Sequence, residues 1–151
     1  MRLSAKADYA VRAAVELAAH PDAHLKIERI AAAQEIPLRF LEHILLDLKH
    51  AQLVESRRGA EGGYRLAHDA EELTLAEVIR AVEGPLANVR GVRPEALDYS
   101  GSAAPLRDVF VALRASVRTV LEHVTVADVA RGELPAVVHE LIDDADAWSP
   151  R

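Results

Sequence analysis

Two consecutive arginines run into a glycine-rich segment about a third of the way along the chain. Arg57 and Arg58 are followed by Gly59, and then by Gly62 and Gly63. Guanidinium groups bind phosphate, and an arginine is able to enter a narrow A·T-rich minor groove, where the negative potential is enhanced. Glycine adopts positive φ and lets the backbone approach another chain closely. The segment therefore has the composition of a tip that contacts nucleic acid, with Arg58 at its rim.

The elements around this tip predict a DNA-binding unit. Leu53–Arg58 and Gly63–Leu66 read as two short strands of a hairpin. A helix over about residues 28–34 breaks at Glu35-Ile36-Pro37, and a third helix follows. The apolar stripe of that third helix consists of Leu41, Ile44, Leu45 and Leu48, and its opposite face of Arg39, Glu42, His43, Leu46, Asp47 and His50. Two helices with a tight break, the second of them amphipathic, predict a helix-turn-helix, and the hairpin behind it suits a wing.

The C-terminal part of the chain is organised around one long amphipathic helix. Thr74 opens a helix with a capping box, and residues 87–105 lack periodicity, which predicts a loop with at most one short turn. An apolar stripe then continues for about four to five turns, made of Leu106, Val109, Phe110, Leu113, Val117, Val120, Leu121 and Val124. Few residues remain to cover this stripe, which favours a partner helix from a second subunit over intramolecular core. A short capped helix near 125–131 and a last helix near 137–142 follow.

Composition limits the available chemistry. The 151 residues are 50% hydrophobic but only 4% aromatic, so Leu, Val, Ile and Ala must build the core, and helices are favoured. The absence of cysteine excludes disulfides, thiolate nucleophiles and Cys-ligated zinc or iron–sulfur clusters. No apolar run long enough for a signal peptide or a membrane span follows Met1, which predicts a cytoplasmic protein.

The net charge of −6 is unevenly distributed. Residues 1–68 contain 10 basic and 9 acidic residues, whereas residues 69–151 contain 8 basic and 15 acidic ones. Because phosphate attraction is local over a Debye length of roughly 10 Å, an acidic protein with one basic face still binds nucleic acid. The seven histidines show no metal-ligand spacing, and residues 59–63 lack the Lys-Ser/Thr of a phosphate loop. We expect no metal, no cofactor and no enzymatic activity.

Ordered motifs over residues 1–86 resemble those of a known family. They are Met1-Arg2-Leu3-Ser4, Tyr9-Ala10-Val11-Arg12-Ala13, Ile36-Pro37, Phe40-Leu41-Glu42, Arg58-Gly59, Gly62-Gly63-Tyr64-Arg65-Leu66-Ala67 and Ala81-Val82-Glu83-Gly84. The chain resembles the winged-helix repressors of the Rrf2 type, which include the iron–sulfur-cluster regulator, the nitric-oxide-sensing repressor and the cysteine-metabolism repressor. The resemblance implies a mainly α fold with a small β-hairpin: a winged helix-turn-helix followed by a long C-terminal dimerisation helix. It also implies a homodimeric transcription factor, usually a repressor, that binds imperfect palindromes in double-stranded DNA.

One segment departs from the family pattern. Many members place three cysteines for a cluster between the winged helix and the long helix, whereas residues 88–105 contain neither cysteine nor histidine. Cluster sensing therefore does not carry over to this chain. The cluster-free branch of the family, which responds to metabolites, partner proteins or unknown signals, is the better analogy.

The resemblance also implies roles for individual residues, with the third helix in the major groove. Arg39 would bridge guanine O6 and N7 or hold a phosphate, Glu42 would accept from cytosine N4, and Phe40 would contact a thymine methyl group. The predicted DNA contacts are Arg2, Lys6, Arg39, Phe40, Glu42, His43, Arg57, Arg58 and Gly59. The alternative is that Arg39 and Glu42 form an ordinary solvated helix face and that Phe40 belongs to the core.

The chain is expected to have four parts. They are a winged helix-turn-helix over 1–86, a linker or effector loop over 87–105, a dimerisation helix with its cap over 106–131, and a short helix with an acidic tail over 132–151. Candidates for an effector site that binds anions are Arg90, Arg93, Tyr99 and Arg107, and the alternative there is a mobile loop with solvated arginines. A second functional hypothesis is a protein-interaction module that regulates a partner enzyme without binding DNA.

Overall fold

A computed structural model describes residues 3–150 of the chain. Its helices are α1 (Ala5–Ala18), α2 (Ile27–Gln34), α3 (Leu38–His50), α4 (Leu75–Glu83), α5 (Leu106–Leu121), α6 (Val126–Arg131) and α7 (Ala136–Ile142). The strands β1 (Val54–Arg57) and β2 (Gly63–Leu66) pair antiparallel, and single turns of 3-10 helix cover Pro94–Ala96, Gly101–Ala103 and Ala145–Trp148. The predicted fold class, mainly α with one small hairpin, is confirmed. Within residues 3–150, none of the helices combines the length and the apolar character that crossing a membrane requires.

Helix α1 lies at the centre of the N-terminal half because its inner face is built from small residues. Ser4 caps the helix, since its Oγ accepts a hydrogen bond from the Ala7 amide at 3.0 Å. The buried residues of α1 are Ala7, Ala10, Ala13, Ala14 and Leu17. Alanine keeps the helix surface narrow, so α2, α3, α4 and α6 all pack directly against α1.

Helices α2 and α3 form the predicted helix-turn-helix. Glu35 ends α2 with a left-handed φ of 52°, and Ile36 is buried between the two helices. The four stripe residues of α3 predicted from their spacing are all buried: Leu41, Ile44, Leu45 and Leu48. Burying a leucine side chain stabilises the fold by about 1.5–3 kcal/mol, so the inner face of α3 is strongly specified. The opposite face is consequently held toward solvent.

The hairpin is attached to the helix-turn-helix by its second strand. In the β1–β2 register Val54 lies opposite Leu66 and Arg57 opposite Gly63. Leu25 extends the pairing, because its amide and carbonyl each form a 2.8 Å hydrogen bond with Tyr64. A β-carbon on Gly63 would lie 2.4 Å from the Leu25 carbonyl oxygen, so this approach requires glycine.

Helix α6 joins the winged helix rather than extending the long helix. The Leu75 amide donates to the Val124 carbonyl, and the Val126 amide donates to the Leu73 carbonyl, both at 2.9 Å. Capping boxes at Thr74 and Thr125 begin α4 and α6 beside this junction. Sequence analysis had grouped α6 with the dimerisation helix, but the structure packs it against α1.

The long helix α5 has no buried residue in the single chain. It ends at Leu121, so the predicted stripe does not continue to Val124. Val124 is instead 3% exposed within its own chain, which corrects its assignment as a residue available to a second subunit. The preceding loop contains two 3-10 turns where at most one had been expected, and the first of them packs against α5.

Candidate nucleic-acid interface

The outer face of α3 carries a group of exposed polar side chains. Arg39, Glu42 and His43 are all exposed, and the ring Nδ1 of His43 lies 2.8 Å from the Arg39 carbonyl oxygen. The side chains of Arg39 and Glu42 make no ion pair or hydrogen bond within the described part of the chain. Both therefore retain their full capacity to donate to or accept from base edges.

Phe40 does not belong to the core. Its side chain is 56% exposed, and its ring contacts that of Tyr9 edge-on, with centroids 6.2 Å apart. The Arg12 guanidinium lies 5.5 Å from the centroid of the same Tyr9 ring. Tyr9 of α1 therefore contacts both Phe40 of α3 and Arg12 of its own helix, and Arg12 also pairs with Asp8 at 3.1 Å. Sequence analysis did not select Arg12, although its i,i+3 spacing from Tyr9 was a signal for it.

Lys6 is engaged within its own chain. Its Nζ donates to the Val82 carbonyl at 3.0 Å and forms an ion pair with Asp47 at 2.7 Å. The lysine thereby connects α1 with α3 and α4, and a phosphate contact would compete with Asp47. Arg2, the other N-terminal cation predicted to contact DNA, lies outside the described residues.

The wing presents its basic residues to solvent. Arg57, Arg58 and Gly59 are exposed in the single chain. Two lysines fix the wing to the helix-turn-helix: Lys26 Nζ donates to the Gly59 carbonyl, and Lys49 Nζ donates to the Ser56 hydroxyl, both at 2.6 Å. The exposed side chains of α3 and the wing therefore hold a defined relative position.

These two lysines are cations that sequence analysis missed. Lys26 occupies the N-cap position of α2, and Lys49 lies in the last turn of α3. Their proximity to the predicted wing was visible along the chain only for Lys49, because Lys26 is 33 residues from Gly59. Both belong to residues 1–68, the part of the chain in which basic residues are at least as numerous as acidic ones.

The residues predicted for an effector site do not form one group. Arg93 lines a cavity together with three arginines that the prediction did not include, Arg80, Arg114 and Arg118. None of the other three candidates lines this cavity: Arg107 pairs with its neighbour Asp108 at 3.3 Å, Tyr99 packs near Phe110, and Arg90 is exposed. The effector site as predicted therefore needs correction, because the loop separates Arg93 from its intended partners.

The residues predicted for dimerisation fall into three groups. Leu106, Val109 and Leu113 are 42%, 57% and 42% exposed. Val117 and Leu121 pack against a small cluster of their own chain, made of Ala7, Ala76, Ile79 and Leu86. Val120 lines a groove that runs between α4 and α5 beside this cluster. Phe110 is half-buried near Tyr99, and Val124 is buried as described above.

Comparison with known proteins identifies the family. Residues 3–132 match the Rrf2 family model, whose description is iron-dependent transcriptional regulator. The chain belongs to the Rrf2 family. It is 52% identical over 145 residues to the HTH-type transcriptional regulator Rv1287 of Mycobacterium tuberculosis, covering 95% of this chain and 90% of the relative. It is 32% identical over 131 residues to the HTH-type regulator CymR of Bacillus subtilis, covering 86% and 90%.

Solved structures of the Rrf2 family have the same fold. The structure of CymR, the global cysteine regulator of B. subtilis, superimposes with a TM-score of 0.74 at 31% identity, covering 87% of this chain and 98% of CymR. That of T. potens IscR superimposes with a TM-score of 0.69 at 28% identity, covering 100% and 93%. The expectation of a winged-helix, DNA-binding transcriptional regulator is confirmed. Unlike a protein that ligates a cluster through cysteines, this Rrf2 member contains none.

Proposed function

We propose that this Rrf2 protein is a homodimeric repressor that binds a palindromic operator. One observation carries the dimer: α5 is strongly amphipathic, and yet none of its residues is buried in the single chain. We expect this DNA-binding protein to act in the cytoplasm. In this proposal the winged helix contacts the operator, α5 forms the dimer, and residues 87–105 connect the two.

The apolar surface of α5 continues into a groove on the same chain. A groove of about 1120 Å³ runs between α4 and α5 and is lined by Ile79, Val82, Val117 and Val120, among others. Exposed apolar surface costs about 25 cal/mol per Å², so a continuous patch of this kind favours association. A two-fold axis would let α5 of each subunit cover the patch of the other, because the contact is then self-complementary.

The dimer suits the DNA-reading face. A two-fold operator presents equivalent half-sites about one helical turn apart, roughly 34 Å, to two identical recognition helices. Arg39 and Glu42 are uncommitted on the outer face of α3 and have the donor and acceptor groups for guanine and cytosine edges. Arg58 on the wing supplies a cation for the minor groove or a phosphate.

The test begins with genome-wide footprinting of the tagged protein, which yields the operator sequence. Binding of a fluorescent operator duplex is then measured by anisotropy as a function of salt. We expect Arg39→Ala and Arg58→Ala each to weaken operator binding at least tenfold. Loss of a phosphate contact by Arg58 would also reduce the salt slope by about 0.9.

The matched control is Arg90→Gln, which changes an exposed arginine of the segment between α4 and α5, outside α3 and the wing. Its operator affinity should equal that of the unchanged protein, and all variants should elute as dimers. Unchanged operator affinity in both Arg39→Ala and Arg58→Ala would overturn the assignment of the reading face. A dimer that binds no duplex even at low salt would instead favour a protein-interaction module. Increased expression of a reporter gene after deletion of the regulator distinguishes a repressor from an activator.

A further inference from the structure

A second cavity lies on the other side of the connection between α4 and α5. Its volume is about 470 Å³, and its walls come from α4, from residues 84–86, Arg93 and Glu95 of the connecting segment, and from the middle of α5. Four guanidinium groups line it, those of Arg80, Arg93, Arg114 and Arg118. We call it the arginine cavity. It collects half of the eight basic residues of a C-terminal part, 69–151, that also carries 15 acidic ones.

Carboxylates neutralise only part of this positive charge. Arg114 forms an ion pair with Glu95. Arg80 and Arg118 share the single carboxylate of Glu122, with the Arg118 contact at 2.9 Å. The Arg93 side chain makes no hydrogen bond or ion pair with any residue in 3–150, and it acts on Glu95 only through its charge. Four positive groups therefore face two negative ones, and about two positive charges remain without a counter-charge.

The two carboxylates are held in their ionised form. Hydrogen bonds from Arg118 and Arg80 lower the pKa of Glu122 below its usual value. A hydrogen bond with the backbone and the Arg114 pair lower the pKa of Glu95. Both groups are charged at neutral pH, so the imbalance persists under physiological conditions.

The cavity has the size and lining of a small-molecule site. Ligand pockets commonly enclose about 300–1,000 Å³ and combine a few convergent polar groups with apolar walls. Here Pro85 and Leu86 supply the apolar wall. Guanidinium forks bind carboxylate and phosphate groups through two parallel hydrogen bonds, which makes arginine the preferred residue for such anions.

We propose that the arginine cavity binds a small polyanion that carries phosphate or carboxylate groups. Its ligand would be held by Arg80 on α4, by Arg93 on the connecting segment, and by Arg114 and Arg118 on α5. The site is separate from the reading face of α3 and from the wing. Because it bridges the winged helix and the long helix, an occupied cavity restrains the position of one relative to the other.

Isothermal titration calorimetry on the full chain without DNA tests the proposal. The probes are sodium pyrophosphate and sodium succinate, each titrated at constant ionic strength made up with sodium chloride. We expect saturable binding of at least one probe, and the preferred probe identifies the phosphate or the carboxylate class. Arg93→Gln and Arg118→Gln should each weaken it roughly tenfold or more, since each removes a hydrogen bond between charged groups.

Arg90→Gln is the matched control, because it removes an equal charge from the same segment outside the cavity. It should bind the probe as tightly as the unchanged protein does. Because the Arg93 side chain makes no hydrogen bond or ion pair within residues 3–150, we expect Arg93→Gln to keep the fold, and circular dichroism tests this. Heats without saturation for both probes, or equal losses in Arg90→Gln and Arg93→Gln, would overturn the proposal.

Discussion

Gly63 is the residue on which the attachment of the wing depends most directly. Its φ is +143°, a value that side-chain-bearing residues rarely adopt. A β-carbon there would lie 2.4 Å from the carbonyl oxygen and 2.6 Å from the carbonyl carbon of Leu25. These are backbone atoms that no side-chain rotation moves away. In Gly63→Ala, β2 must therefore separate from Leu25.

The cost of Gly63→Ala follows from what that separation breaks. The two 2.8 Å hydrogen bonds between Leu25 and Tyr64 are lost, at about 1 kcal/mol each. Backbone strain adds about 1–3 kcal/mol, and the stiffer unfolded chain returns about 0.4–1 kcal/mol. The free energy of unfolding should fall by about 2–4.6 kcal/mol. For a chain of this length that lowers the melting temperature by roughly 5–15 °C.

Thermal unfolding followed by circular dichroism measures this loss, with Gly59→Ala as the control. Gly59 also has a positive φ, +100°, but no heavy atom lies within 4 Å of a β-carbon built there. It should show only the backbone strain of about 1–3 kcal/mol less about 0.4–1 kcal/mol from the stiffer unfolded chain, and so should be destabilised by about 2 kcal/mol less than Gly63→Ala. Below its melting temperature Gly63→Ala should bind operator more weakly and with a shallower salt dependence, because the displaced wing loses its phosphate contacts. Equal melting temperatures for the two variants would refute the steric reasoning.

Two further predictions concern α5. Leu113→Glu places a charge in the exposed apolar stripe and should convert the dimer to a monomer in analytical ultracentrifugation. The control Ala115→Glu, on the opposite face of the helix, should remain dimeric. A dimeric Leu113→Glu would contradict the proposed interface. The pKa of Glu122 is lowered in the folded state, so its stabilisation is present above the usual glutamate pKa and is lost as the pH falls through the lowered value. Urea unfolding should therefore show that the unchanged protein is more stable than Glu122→Gln at pH 7, and that this difference shrinks as the pH falls below the usual glutamate pKa. A difference that stays constant throughout an acid titration would exclude ionised Glu122 as its origin.

The helix caps and the buried stripe of α3 could be predicted from sequence because their causes are local. The cap at Ser4, the capping box at Thr74 and the buried stripe of α3 all depend on residues within one turn or a few turns of each other. Each cap joins a side chain to an amide three residues away, and the stripe follows the period of the helix. The lysine contacts were inaccessible to this reasoning, because Lys6 meets Asp47 and Lys26 meets Gly59 across 41 and 33 positions of the chain. Long flexible side chains leave no periodic signal of their partner.

The long helix α5 shows most clearly which features follow from sequence and which depend on the tertiary structure. Periodicity in the chain established that a helix begins at Leu106 with one apolar stripe, because an amphipathic pattern needs no knowledge of its partner. It could not separate Leu113, which is exposed, from Leu121, which packs on its own winged helix, or from Val124, which is buried beyond the helix end. The arginine cavity likewise forms only when the chain folds, since its guanidinium groups lie on two helices and a connecting segment. Which surface each apolar or charged residue meets depends on contacts between distant segments, and those arise from packing in three dimensions.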